Sequence, residues 1–249
     1  MTLPQLSPRS ITRAVAAIMT GCSLAAAAGV DGPPEAVVGA PHGMRVLVKR
    51  VGPTSQPADL QVLCILAHNP AGDPYIDVMR DLDDRLGGLI SAVRQRGEFT
   101  GEPGETFLFT PPPRSIAPAR VLLIGVGAEP LLTLDRLRLV GRVAAREAVR
   151  LGATHVAFAP ALRDQGSSRI DVGDCDAAVV GQFLLAYDTE SRLQGQGLAP
   201  PARVEDLTVE AGPKYFDAAA SQVAAATAAA AEQIGQRDRS PYAKATPGR

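Results

Sequence analysis

Arg120-Val121-Leu122-Leu123-Ile124-Gly125-Val126-Gly127, followed by Thr133 and the run Leu134 to Leu151, decides the fold. The apolar run in it is short and continuous, the pattern of a strand buried on both faces of a sheet. Thr133 is a helix-capping residue type. Leu137, Val140, Ala144, Ala148 and Leu151 then recur at three- and four-residue intervals and make one apolar helical face. The next run, Thr154–Ala159, reads as a strand again.

Outward from this unit the same alternation continues. Arg45–Lys49 and Leu60–Ala67 read as strands before it. Asp73-Pro74 reads as a helix start, with Asp at the cap and Pro at the first helical position. Ile76, Met79, Leu82, Leu86, Leu89, Ile90 and Val93 line one face of that helix, and Gly97 stops it. Gly87-Gly88 weakens its middle by roughly 1 kcal/mol per glycine and marks a break or a close packing point. Glu105–Thr110 is a further strand, joined to Arg120–Gly125 by a proline-rich link. Asp174 or Asp176 opens a third long helix, which runs through Tyr187. Residues 188–202 read as a polar connection, Val204–Val209 as a strand and Asp217–Gly235 as an alanine-rich helix. Strands alternating with helices imply an α/β fold, a three-layer α/β/α sandwich on a mixed, mainly parallel sheet.

Composition narrows the function classes. The chain has 249 residues, 46% apolar and 20% charged, which is ordinary for a folded globular chain. A net charge of -1 offers no basic field for nucleic acid, and aromatics at 4% with no Trp leave few stacking platforms for bases. No apolar run reaches the ~18 residues that span a bilayer, so no integral span is expected.

Residues 1–43 differ from the rest and read as a signal-like segment and flexible lead. Arg9 and Arg13 precede an uncharged, small-apolar stretch from Ala14 to Ala28, the layout of a secretory signal. Cleavage at Ala28 or lipid attachment at Cys22 would follow, with export to a periplasmic or secreted location. The alternative is a true start at Met44 and a cytoplasmic protein. Residues 44–235 form the expected domain, and 236–249 a frayed tail.

The chemistry-bearing residues are scattered. Cys22, Cys64 and Cys175 lack the spacing of a zinc or redox site. Cys64 lies in an apolar run and reads as an inert buried thiol; His155 reads as a strand residue and His68 as a strand-end residue. Arg138, Arg142, Arg146 and Arg150 share a helical stripe, which reads as a solvated edge salted by Asp135 and Glu147. Asp81, Asp83 and Asp84 point to different sides of one helix, with Arg80 and Arg85 to neutralise them. Gly125 and Gly127 sit in a strand-to-helix turn, where backbone N–H groups can hold an anion. They are the candidate anion site, although Pro130 breaks the GxGxxG pattern and a tight turn explains small residues equally. No catalytic set, metal cluster or cofactor motif is read.

The segment from Leu89 to Gly127 is the most specific. It contains Gly97-Glu98-Phe99-Thr100-Gly101-Glu102-Pro103-Gly104-Glu105-Thr106, then the Arg120–Gly127 strand, then a helix with Arg138, Gly141, Ala144 and Ala145. This resembles the N-terminal domain of the cytosol (leucyl) aminopeptidase family over about residues 44–235. There a helix leads into a G-x-F-x-G-x-x-G segment, and a strand of the form R-V-L-L-I-G-x-G follows. The resemblance implies a fold related to macro domains. It also implies a two-metal aminopeptidase whose active site lies in a C-terminal domain marked by N-T-D-A-E-G-R-L, a signature absent from this sequence. Three functions are therefore expected in competition. One is a stand-alone non-catalytic domain in a binding or assembly role, with a homo-oligomer or a separate catalytic chain as partner. Another is a fragment or subunit of an aminopeptidase whose catalytic half is elsewhere. The third is a macro-like module that binds ADP-ribose or a related nucleotide. Gly101 or Gly104 is expected at positive φ, bracketing Pro103 in a tight turn.

Overall fold

The computed structural model describes residues 35–237. Within them lie β1 (Glu35–Gly39), β2 (Arg45–Lys49), β3 (Leu60–Leu66), β4 (Thr106–Phe109), β5 (Val121–Gly127), β6 (His155–Ala159) and β7 (Asp206–Glu210). Five helices accompany them among the described residues: α1 (Asp77–Arg85), α2 (Leu89–Gln95), α3 (Leu134–Arg150), α4 (Val172–Gly195) and α5 (Phe216–Gln236). The strands make one sheet in the order β1–β2–β7–β6–β3–β5–β4. Strands β2, β7, β6, β3 and β5 run parallel, while β1 and β4 close the two edges in antiparallel pairs. The fold is a mixed, mostly parallel α/β sandwich.

The period of two along β3 explains the layers. Leu60, Val62, Cys64 and Leu66 join one core with Val140, Ala144, Val179, Phe183, Ala219 and Val223 of α3, α4 and α5. Leu63 and Ile65 join the other core with Met79, Leu82, Ile90 and Val93 of α1 and α2. All seven residues of β3 and all seven of β5 are buried, which is why both read as continuous apolar runs. Each fully buried Leu, Ile or Phe contributes roughly 1.5–3 kcal/mol.

Several expectations are corrected. Residues 35–39, read as flexible lead, are strand β1, paired with β2 from Glu35↔Lys49 to Gly39↔Arg45. The helix begun at Asp73 is two helices: Gly87 and Gly88 both take positive φ, 69° and 79°, and break it. The carboxylate of Asp83 spans that break, accepting hydrogen bonds from the amides of Ile90 and Ser91 and from the Ser91 hydroxyl. It therefore caps α2. Asp73 caps nothing; it pairs with Arg94. Helix α4 starts at Val172, not at Asp174 or Asp176, and continues through residues 188–195 of the expected polar connection. The Thr133 cap is as read: its side chain accepts from the Arg136 amide. The signal-like residues, with Cys22 and Ala28, and positions 238–249 of the tail lie outside the described residues.

One buried carboxylate ties the outer elements together. Asp188 of α4, 1% exposed, receives Nε2 of His42 at 2.9 Å, Nε of Arg192 at 2.9 Å and Nη1 of Arg237 at 2.6 Å. His42 lies in the turn between β1 and β2, and Arg237 just beyond α5.

Candidate functional site

Open parallel sheets bind ligands at the carboxyl ends of their strands, near the point where the connections change direction. Here the chain leaving β3 passes over one face through α1 and α2, and the chain leaving β6 passes over the other through α4. The change of direction therefore falls between β3 and β6. Gln165 closes that gap. Its Oε1 accepts from the Leu66 amide at 2.9 Å, and its Nε2 donates to Cys64 O at 2.8 Å and to Ala161 O at 3.0 Å.

On the β3–β5 side the carboxyl edge is plugged. The turn Gly101–Glu105 lies across it, with Gly101 at φ 81° and Gly104 at φ 83°. A Cβ on Gly101 would sit 2.4 Å from Leu66 O, and one on Gly125 would sit 2.1 Å from Glu102 O. Both are clashes, so these positions require glycine. The amide of Gly125 donates to Glu105 O at 2.8 Å, and that of Gly127 to Gly101 O at 2.8 Å. The backbone donors expected to face an anion are thus spent inside the turn. Burial would raise the Glu105 carboxyl, but the Thr100 hydroxyl and the amides of Thr100, Glu102 and Gly101 outweigh that and hold it below the usual range. Arg94, 1% exposed, completes the plug through Asp73 (Nε–Oδ2 2.7 Å) and Leu66 O (Nη2 2.8 Å). Burial would likewise raise the Asp73 carboxyl; Arg94, the Asn69 amide and His68 hold it low.

On the β6–β7–β2 side the edge stays open as a crevice of about 150 Å³. Its walls are mainly apolar, with Val51, Val78, Ile170 and Val172 among them, and Tyr215 completes the lining. Ala161, on the same rim, holds φ at 50°, a strained value for a residue with a Cβ. Glu210, the last residue of β7, also lines the crevice and is 5% exposed. Its Oε2 accepts from Gln61 Nε2 at 3.3 Å, while Oε1 is buried with no hydrogen-bond partner. Burial pushes the Glu210 carboxyl up to about 8, despite the Gln61 bond. At the rim, burial and the charge of Asp77 push Asp164 up to about 6. Arg163 lies over the Tyr215 ring at 5.3 Å, with its Nε buried and unpartnered. Burial pushes the Cys175 thiol up to about 12, so it is neutral and a poor nucleophile.

The other residues singled out from sequence lie elsewhere. His42, His68 and His155 each face a carboxylate, at Asp188, Asp73 and Asp206, and none lines the crevice. His155 begins β6, and its hydrogen bond with Asp206 raises its pKa. Cys64 is fully buried. The arginine stripe is a paired surface: Arg138 bonds Asp135, Arg142 bonds Gln182, Arg146 faces Glu190, and Arg150 bonds Glu147. Asp81 pairs with Arg85, whereas Arg80 donates to Tyr75 O. Among the described residues no group of three or more His, Cys, Asp or Glu is placed to hold a metal ion. They do not fit a pair of divalent ions, and no reaction step is derived through one. The crevice itself was missed because Glu210 ends a strand, where an acid looks like a solvated residue. No signal in the sequence points to it: Val204–Val209 carries Glu205, Asp206 and Thr208, so the burial of the strand is not spelled in its pattern.

Comparisons with known proteins bear on the family and the fold. A family profile described as "Cytosol aminopeptidase family, N-terminal domain" matches residues 68–192, half of the chain. The chloroplastic neutral leucine aminopeptidase of Solanum lycopersicum is 25% identical over 130 residues, 52% of this chain and 22% of that protein. The cytosol aminopeptidase of Pseudomonas aeruginosa is 36% identical over 86 residues, 34% of this chain and 16% of that protein. The chain thus spans about a fifth of the length of these two relatives. Among solved structures, the Oceanobacillus iheyensis macrodomain with MES bound, also solved with ADP, superposes with a TM-score of 0.55. It is 9% identical, with 77% of this chain and 96% of that one covered, which is a likeness of fold. No helix among the described residues is long and apolar enough to cross a membrane. From its β3–α1 junction to the last turn of α4, and in the glycine turn that lies across its sheet, this chain belongs to the cytosol aminopeptidase family as an N-terminal domain.

Proposed function

We propose that this chain is a non-catalytic domain of the family and acts by binding, with the crevice at the ends of β2, β6 and β7 as its ligand site. The observation that carries this reading is the contrast at that edge. One half spends its backbone donors inside its own turn, beside a cavity of about 170 Å³ lined by Asp73, Glu129 and Gln165, while the other sets the buried Glu210, with one oxygen unpartnered, on a mainly apolar crevice. Nucleophilic or two-metal hydrolysis lacks its residues in the crevice. Purified protein with added Mn²⁺ or Zn²⁺ is expected to leave leucine p-nitroanilide intact. Metal-dependent hydrolysis that copurifies with the chain through several columns would overturn the reading.

A second reading has one observation behind it: the relatives are several times longer than the matched region. A separate chain bearing N-T-D-A-E-G-R-L would then supply catalysis, and this chain would serve its assembly. Copurification of such a chain with a tagged copy of this one tests it. A nucleotide ligand has only the fold on its side. The crevice presents two carboxyls, and the Gly125 and Gly127 amides are bonded internally.

A further inference from the structure

We propose that the crevice is a site for a small apolar primary amine, its ammonium group seated on Oε1 of Glu210 and its hydrocarbon part against the apolar walls. The inference rests on the reading of the crevice as a binding site and names the ligand chemistry.

Three observations converge on an amine. The first is an unmade hydrogen bond. Glu210 is 95% buried, lines the crevice, and has one oxygen bonded to Gln61 and one with no partner. A buried acceptor left unmade is costly, and a ligand donor recovers that cost. The second is size and polarity. Val51, Val78, Ile170 and Val172 bound a space of about 150 Å³. An apolar cavity of that volume takes a group the size of a benzene ring.

The third is the sign of the local charge. Glu210 and Asp164 both line the crevice, and Asp77 stands close enough to raise Asp164. The opposing cation, Arg163, lies over the Tyr215 ring, as Lys214 does, and 3.7 Å from Asp171, with its Nε buried and unpartnered. Once Glu210 ionises, two carboxylates face one guanidinium, and a single added ammonium balances the site. With burial holding Glu210 near 8, the empty site keeps its proton at neutral pH. An aliphatic amine is far more basic, near the ~10.4 of lysine. The amine arrives already as ammonium, so Glu210 releases its proton to solvent on binding, and the pair is a charge-assisted hydrogen bond in a dry site. The Cys175 thiol, neutral at this pH, takes no part.

Three probes of similar shape test this: benzylamine, benzyl alcohol and benzoate, titrated into the full chain by calorimetry and by amide shift mapping. Benzylamine is expected to bind at about millimolar concentration, as its few heavy atoms allow. The largest shifts should fall at Val51, Arg163, Val172, Gly212 and Tyr215. Benzyl alcohol and benzoate should bind at least tenfold more weakly. Glu210→Gln should weaken benzylamine by about ten- to a hundredfold, the worth of a buried charged hydrogen bond. Circular dichroism of the variant checks that it folds, and the three-probe series on the unaltered chain stands without it.

Benzoate or the alcohol binding as well as the amine, with shifts in the crevice, would overturn the amine assignment and leave the binding role standing. Amine shifts mapped elsewhere, or none, would overturn it outright. Aminopeptidase activity would sink the non-catalytic reading without touching the probe result.

Discussion

The two halves of the sheet's carboxyl edge meet the same problem, carboxyl groups half or wholly withdrawn from solvent, and solve it in opposite ways. Beside β3, Asp73 is matched by Arg94, His68 and a backbone amide, and Glu105 by three amides and a hydroxyl. Beside β7, Glu210 keeps an unmade bond and Asp164 faces another acid. The paired half holds its carboxylates charged, although Arg94 Nη1 and the Tyr75 hydroxyl are buried there without partners. The unpaired half holds them near neutrality at some cost in stability, a cost that a ligand can relieve. The family match covers the paired half and ends at Arg192, short of Glu210.

The comparison breaks most visibly if Arg94 is removed. Arg94→Leu strands Asp73 and Leu66 O, and a broken buried pair costs about 3–5 kcal/mol. Chemical denaturation measures this, and a loss below about 1 kcal/mol would mean that the plug is not held by the pair. Gly101→Val should cost on the order of 1–3 kcal/mol through strain at positive φ, with the clash on Leu66 O added. A variant that melts like the parent would make the segment a loop free of the sheet. A chain started at Met44 loses β1 and the His42 bond to Asp188, so it should unfold at lower denaturant than one started at Glu35.

The pH dependence sharpens the contrast. Glu210 and Asp164 have folded pKa values above their unfolded ones, so each stabilises fully only below about pH 4. The Glu210 contribution is lost as pH rises from its ordinary 4.5 to about 8, and the Asp164 contribution between 3.8 and about 6. His155, also raised, acts in the same direction. Asp73, Asp188 and Glu105 are depressed and act oppositely: their contribution is lost as pH falls below the ordinary carboxylate range. The melting temperature should therefore peak near pH 5 and decline toward pH 8. Glu210→Gln should flatten that decline by a few kcal/mol, since each pH unit between its two values counts for roughly 1.4 kcal/mol. A profile unchanged by the substitution would place Glu210 in contact with water. The smallest effect belongs to the arginine stripe. Arg150→Ala should change stability by no more than about 0.5 kcal/mol, since its pair with Glu147 is exposed.

What the sequence made legible follows from burial. Strands β3 and β5 are enclosed on both faces and so spell continuous apolar runs, and Thr133 caps α3 with its own side chain. The glycines of the 97–106 turn announce positive φ because no other residue fits there as well. Strand β1 escaped notice because it is an edge strand whose residues alternate between exposed and half-buried. The last turns of α4 escaped because Asp188, Thr189, Glu190 and Arg192 look like a loop. They stay helical because Asp188 is buried and bonded to Arg192 one turn on. The crevice was illegible for a different reason. It is assembled from residues between 51 and 215, and the defining property of Glu210, a bond not made, leaves no local pattern.

Asp188 has a mechanical consequence. The turn after β1 and the residue after α5 both end on its two oxygens, so tension applied at either flank of the described region arrives at one carboxylate. Such a joint works as a shared clamp. While it holds, the edge strand and the last helix resist pulling together; once it opens, both are free to peel. A leash, tag or fused domain on one side would thereby loosen the anchorage of the other, although the two attachment points lie nearly two hundred residues apart along the chain.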